Sequence, residues 1–131
     1  MYYIDNNGVK TDVTSFYHIS IEKEIIKACK PVFDGIRSGW FKDNVKYPNC
    51  VFYLVSSSLS DYVSNTPNKL TITYTFEARG YDNIALSQKF NDLRYELSKL
   101  YNARERKLPQ SFGENSYVER TDFIFTIKIG A

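Results

Sequence analysis

Lys69–Tyr101, KLTITYTFEARGYDNIALSQKFNDLRYELSKLY, is the stretch that decides the fold. Leu70, Ile72, Tyr74, Phe76 and Ala78 alternate with Thr71, Thr73, Thr75, Glu77 and Arg79. A period of two with one apolar and one polar side is the signature of a strand with one buried face. Gly80-Tyr81-Asp82-Asn83 breaks that alternation, and Asp82 or Asn83 is placed to cap a helix. Leu86, Phe90, Leu93, Leu97 and Leu100 then recur at helical spacing and make a single apolar stripe. Each element has an apolar side in need of cover, and packing the helix on the strand covers both.

Working outward, Cys50-Val51-Phe52-Tyr53-Leu54-Val55 is apolar on both phases and reads as a central strand covered on both faces. The segment 56–68 joins it to the strand at Lys69, partly as strand, with turn chemistry at Asn65-Thr66-Pro67-Asn68. This predicts a long hairpin. At the C-terminus Phe123, Phe125, Ile127 and Ile129 share one side of another alternating strand. Upstream, Ser20 reads as an N-cap, and Ile21, Ile25, Ala28 with Cys29, Val32 and Ile36 form a helical stripe. Pro31 removes a hydrogen bond inside it, and the in-phase stripe favours a kinked helix over a broken one.

Tyr2-Tyr3-Ile4 and Val9–Val13 flank Asp5-Asn6-Asn7-Gly8, which predicts a β-hairpin. An isolated hairpin is marginal in water, so it must lie on its own domain or on a neighbour. Residues 102–115 read as a loop, with Arg104-Glu105-Arg106-Lys107 as a charged helix end. The expected fold class is α+β: an antiparallel sheet of about four strands with two helices on one face, plus a small N-terminal hairpin arm. The expected division is an arm at 1–18 and one domain at 19–131. The expected core is Ile25, Val32, Ile36, Val51, Tyr53, Ile72, Tyr74, Phe76, Phe90, Leu93, Leu97, Phe125 and Ile127.

Composition narrows the function. The net charge is +2, with basic and acidic residues interspersed, unlike the concentrated basic face of a nucleic-acid binder. Aromatic residues make up 16% of the chain, eleven of them Tyr. That surplus suits either partner-contacting surfaces or the strand propensity of Tyr. Cys29 and Cys50 match no metal spacing and read as buried thiols in a reducing compartment, with one disulfide left open by the spacing. No apolar run reaches the roughly 18 residues of a membrane span, and the N-terminus lacks signal-peptide features, which predicts a soluble intracellular protein. The one histidine, His18, has no sequence motif to orient it as a base. The glycines are scattered singly, and the carboxylates form no metal-type cluster. Neither an enzyme nor a cofactor is expected.

What remain are interaction features. The candidates are Tyr2, Tyr3 and Ile4 in the arm, Leu59, Tyr62 and Val63 in the long hairpin, and the polar face Thr71, Thr73 and Thr75. Hairpins and sheet edges pair with neighbouring chains by strand addition.

The order of elements resembles that of the tail-terminator (tail-completion) proteins of long-tailed bacteriophages, of the lambda-like kind. The resemblance rests on the helix Ile21–Ile36, on Tyr47-Pro48-Asn49-Cys50-Val51-Phe52, on the strand Leu70–Glu77 and on the ending Glu119–Ile127. It covers Ile21 to Ile129, has no counterpart for Met1–Tyr17, and departs from the family at Pro31. It implies a structural virion protein, assembled in the host cytoplasm, that sits at the head-tail junction. There a homohexameric ring would cap the tail tube, end its polymerisation and offer docking to the head connector or stopper protein, with DNA passing through the lumen. The arm Tyr2–Val13 and the hairpin Ser56–Asn68 would then make contacts between subunits or with the tube. Two alternatives stand beside it: another head-tail connector or completion protein, and a dimeric regulatory or ligand-binding α+β domain.

Overall fold

In a computed structural model, which describes residues 1–13, 16–63, 65–113 and 115–130, the strand at the centre of that stretch is β5, Lys69–Gly80. It lies between β4, Asn49–Ser60, and the last strand β8, Ser116–Gly130, and is antiparallel to both. Leu70, Ile72, Tyr74, Phe76 and Ala78 are buried on one side, as their alternation requires. The remaining strands are β1, Tyr2–Ile4, β2, Lys10–Asp12, β3, Arg37–Ser38, β6, Arg104–Lys107, and β7, Ser111–Gly113.

Among the described residues the sheet therefore has eight strands, in the order β2-β1-β8-β5-β4-β3, with β6 and β7 also paired to β8. It curls into a half-barrel and is mixed, because β3 runs parallel to β4. This corrects the expectation of a four-stranded antiparallel sheet. Short, polar strands were the ones hidden: β6 and β7 lack a repeating apolar side, and only pairing with β8 makes them strands. The run Arg104–Lys107 is thus β6 and not a helix end.

Two helices complete the core, α1, Tyr17–Cys29, and α2, Asn83–Ser98. Ile21, Ile25 and Cys29 of α1 and Leu86, Phe90, Leu93 and Leu97 of α2 join the buried side of β5 and Phe123, Phe125, Ile127 and Ile129 of β8 in one cluster. Asp82 caps α2, its Oδ1 accepting the Ala85 N–H at 2.9 Å. Ahead of Pro31 the first helix ends at Cys29, and Val32, Phe33 and Ile36 continue as hydrogen-bonded turns. The kinked helix through Ile36 does not form: the apolar phase persisted, but proline ended the helix. Its start is three residues earlier than Ser20, which is not the cap.

Of the expected core, Val32 and Tyr53 are only partly buried; all others are buried. Val32 follows the helix break, and Tyr53 sits on the side of β4 away from the helices, opposite Thr75.

The N-terminal hairpin β1–β2 extends the sheet of its own chain, since Tyr2 and Tyr3 pair with Gly130 and Ile129 of β8. Its turn is organised by Asp5, whose Oδ1 accepts the Asn7 and Val9 amides at 2.9 Å each, and by Gly8 at φ 80°. Asn6 ties that turn to the end of α2 by accepting the Tyr101 amide at 2.8 Å. Thr14 and Ser15 of the expected arm lie outside the described residues.

Candidate interaction surfaces

The β4–β5 ladder runs in register from Asn49↔Arg79 to Ser60↔Lys69, with a bulge between Leu54 and Ser56. Its two ends carry different exposed surfaces.

At the hairpin end, the chain turns through Val63 and Thr66, whose backbone groups bond each other at 2.8 and 2.9 Å, with Asn65 at φ 67°. Ser64 lies outside the described residues. Tyr62 and Val63 are each 61% exposed there. Beneath them a groove of about 690 Å³ opens on the helix side of the sheet, lined by Met1, Phe16, Leu54, Leu59, Tyr62 and Leu70 among others. Leu54 and Leu59 face this side because they pair with Tyr74 and Leu70, yet neither helix reaches far enough to cover them. His18 lines the groove too, its ring 5.4 Å from that of Phe16. Tyr2 and Ile4 lie close by, lining a second hollow with Asp61, Asn68 and Lys69. Leu59 and Tyr62 thus line the groove, whereas Tyr2 and Ile4 line a separate hollow, with no lining residue in common. Tyr3 points the other way and is buried in the core.

At the opposite end, aromatic rings form a chain: Trp40 with Phe41 and Tyr53, Phe41 with Tyr47, and Tyr47 with Tyr81, at centroid distances of 5.4 to 6.0 Å. The Arg79 guanidinium lies 5.3 Å from the Trp40 ring and 4.9 Å from the Phe41 ring, and pairs with the Glu77 carboxylate at 2.9 Å. Cation–π contacts of this kind hold an arginine flat against aromatic faces. Trp40 and Tyr81 are more than half exposed. Sequence reasoning passed over this cluster, because its members come from a connector, two strands and a turn. The surplus of aromatic residues was the available signal.

The threonine face divides. Thr71 and Thr73, opposite Ser58 and Ser56, are half-buried and carry no described covering element. Thr75 is buried and donates to Asp122 at 2.6 Å, where Arg106 of β6 also donates. Thr121 and Arg94 converge in the same way on Glu105, at 2.6 and 2.5 Å. These carboxylates are each satisfied by two donors and fasten β6 and α2 to β8.

Chemistry is sparse elsewhere. Burial pushes the Cys29 thiol up to about 12 and holds Cys50 well above its ordinary value, so neither is a ready thiolate. Among the described residues no group of three or more His, Cys, Asp or Glu could hold a metal ion. No described helix is long and apolar enough to cross a membrane. Compared with protein-family models and with curated proteins, the chain matches none.

Proposed function

We propose that this chain is a structural subunit of a phage tail: a ring of copies that caps the tail tube, stops its growth and receives the head connector. The observation that carries the reading is the pair of exposed apolar surfaces at opposite ends of one ladder, Tyr62–Val63 with the groove, and Trp40–Tyr81. A ring closes only when two different patches of the same chain meet head to tail, and these two are different and well separated. Aromatic residues with an intercalated arginine are also the residue types that dominate binding energy at interfaces. The elements behind the resemblance, α1, the β4–β5 hairpin, α2 and β8, succeed one another in the expected order.

The test is native mass spectrometry and negative-stain imaging of the purified protein, alone and with tail tubes. Rings that bind tube ends are expected, with binding lost in Trp40→Ala and in the double variant Tyr62→Ser, Val63→Ser. A protein that neither forms rings nor binds tube ends overturns the reading. The groove favours one second reading, a dimeric ligand-binding domain, because its volume is that of a small-molecule site. A ligand-induced rise in melting temperature without tube binding would select that alternative.

A further inference from the structure

We infer that the free edge of β4 pairs with the same edge of a second copy, antiparallel about a two-fold axis near Ser57. β4 has twelve residues, yet β3 covers only Val51 and Phe52 on its outer edge. Among the described residues nothing pairs with that edge from Tyr53 to Ser60. Eight residues of unpaired backbone are a template for another strand, and proteins normally blunt such an edge with charge, proline, short length or cover. This edge has only the bulge beside Val55. Tyr53-Leu54-Val55-Ser56-Ser57-Ser58-Leu59-Ser60 contains no charged residue and no proline.

The surroundings of the edge set the chemistry of the incoming strand. One side is the apolar groove, whose lining, among the described residues, includes no Asp, Glu, Lys or Arg side chain. The other side presents Ser56 and Ser58 beside Thr73 and Thr71. A matching strand must be uncharged, with apolar residues toward the groove and small hydroxyls away from it. Of the other strands with an outer edge, β2 offers Lys10-Thr11-Asp12, β3 Arg37-Ser38 and β6 Arg104–Lys107, all charged, and β7 offers only the three residues Ser111-Phe112-Gly113, too short to match eight. β4 itself comes nearest to that pattern, with Leu54 and Leu59 on the groove side, Ser57 between them, and Ser56 and Ser58 opposite. Self-pairing sets Leu59 of each copy against the Leu54–Val55 region of the other and joins the two grooves. The contact joins copies in pairs through the groove that the ring reading gives to a head-to-tail neighbour, so it is an alternative use of that surface and does not rest on the ring reading.

The experiment uses the full chain with Ser57→Lys and Ser57→Glu, at an exposed position on the edge. Native mass spectrometry of the parent is expected to show a species of twice the 15.3 kDa chain mass. A two-fold contact places residue 57 near its own copy, so either variant alone should weaken dimerisation by at least about tenfold through like-charge repulsion. Mixing the two in equal amounts should restore a mixed dimer. A cooperative thermal transition and a circular-dichroism spectrum like the parent's, for each variant, show that the monomer still folds. A parent that stays monomeric at all concentrations overturns the inference. So does loss of association that mixing fails to restore, which would mean that this edge meets a different surface. Failure of tube binding with the mixing result intact would remove the ring reading alone.

Discussion

The two halves of β4 make the instructive comparison. Asn49, Cys50, Val51 and Phe52 are buried, whereas Leu54 to Leu59 are exposed, although one continuous strand carries both. The inner half has β3 on one edge and β5 on the other, with the shared helix-side core against Cys50 and Phe52. Among the described residues the outer half pairs with β5 alone. The outer half is richer in serine, yet Leu54 and Val55 are as apolar as Val51 and Phe52, so composition does not explain their exposure. What separates them is whether another element reaches them.

The sharpest way to break this comparison is truncation. Phe52→Ala should cost about 3 to 5 kcal/mol, since a fully buried ring stacked on Phe76 at 5.2 Å is lost. Urea unfolding reads this directly, and a loss below 1 kcal/mol would falsify the packing of the inner half. Leu93→Ala in α2, also fully buried, should cost about 2 to 5 kcal/mol by the same measurement.

Alkaline pH tests, without mutation, the burial of the core that the inner half joins. Cys29 is raised from 9.0 to about 12, first by burial, and burial holds Cys50 well above its ordinary value too. Burial, then the hydrogen bonds to Glu22 and Glu24, also raises Tyr74 and Tyr101. In each case the folded state holds its proton more tightly than the unfolded chain. Their stabilisation is complete below about pH 9 and is lost as pH rises toward the folded-state values, by up to about 1.4 kcal/mol per pH unit for each group. The urea midpoint should be flat from pH 7 to 8.5 and fall steadily above 9; a midpoint constant to pH 11 would contradict it.

Smaller effects sharpen the picture. Asp82→Ala removes the cap of α2 and should lower stability by about 1 kcal/mol. Leu54→Ala in the exposed half should change monomer stability by no more than about 0.5 kcal/mol, the scale of surface substitutions. A cost matching that of Phe52→Ala would mean that the outer half is covered within its own chain.

Legibility in the sequence tracked amphipathic period. β5, α2 and β8 carry a clear repeat over most of their length, and each appears close to where the repeat puts it. Local chemistry was equally readable where one residue suffices: Asp82 caps α2, and Asp5 with Gly8 turns the first hairpin. The candidate surfaces were half legible. Leu59, Tyr62 and Val63 stand out as apolar residues in a serine-rich hairpin, but Phe16 and Trp40 are recognisable only once distant segments meet.

By itself, then, the chain sequence determined the alternating strands, the α2 stripe and their shared apolar sides, because periodicity is a local property. The tertiary structure decided the rest. It made β6, β7 and β3 strands by pairing them with longer neighbours. It also sent Tyr3 inward and stopped the helices short of Leu54 and Leu59. Pairing and cover are long-range facts: a hydrogen-bond partner or a covering helix lies tens of residues away, and no residue pattern carries its distance.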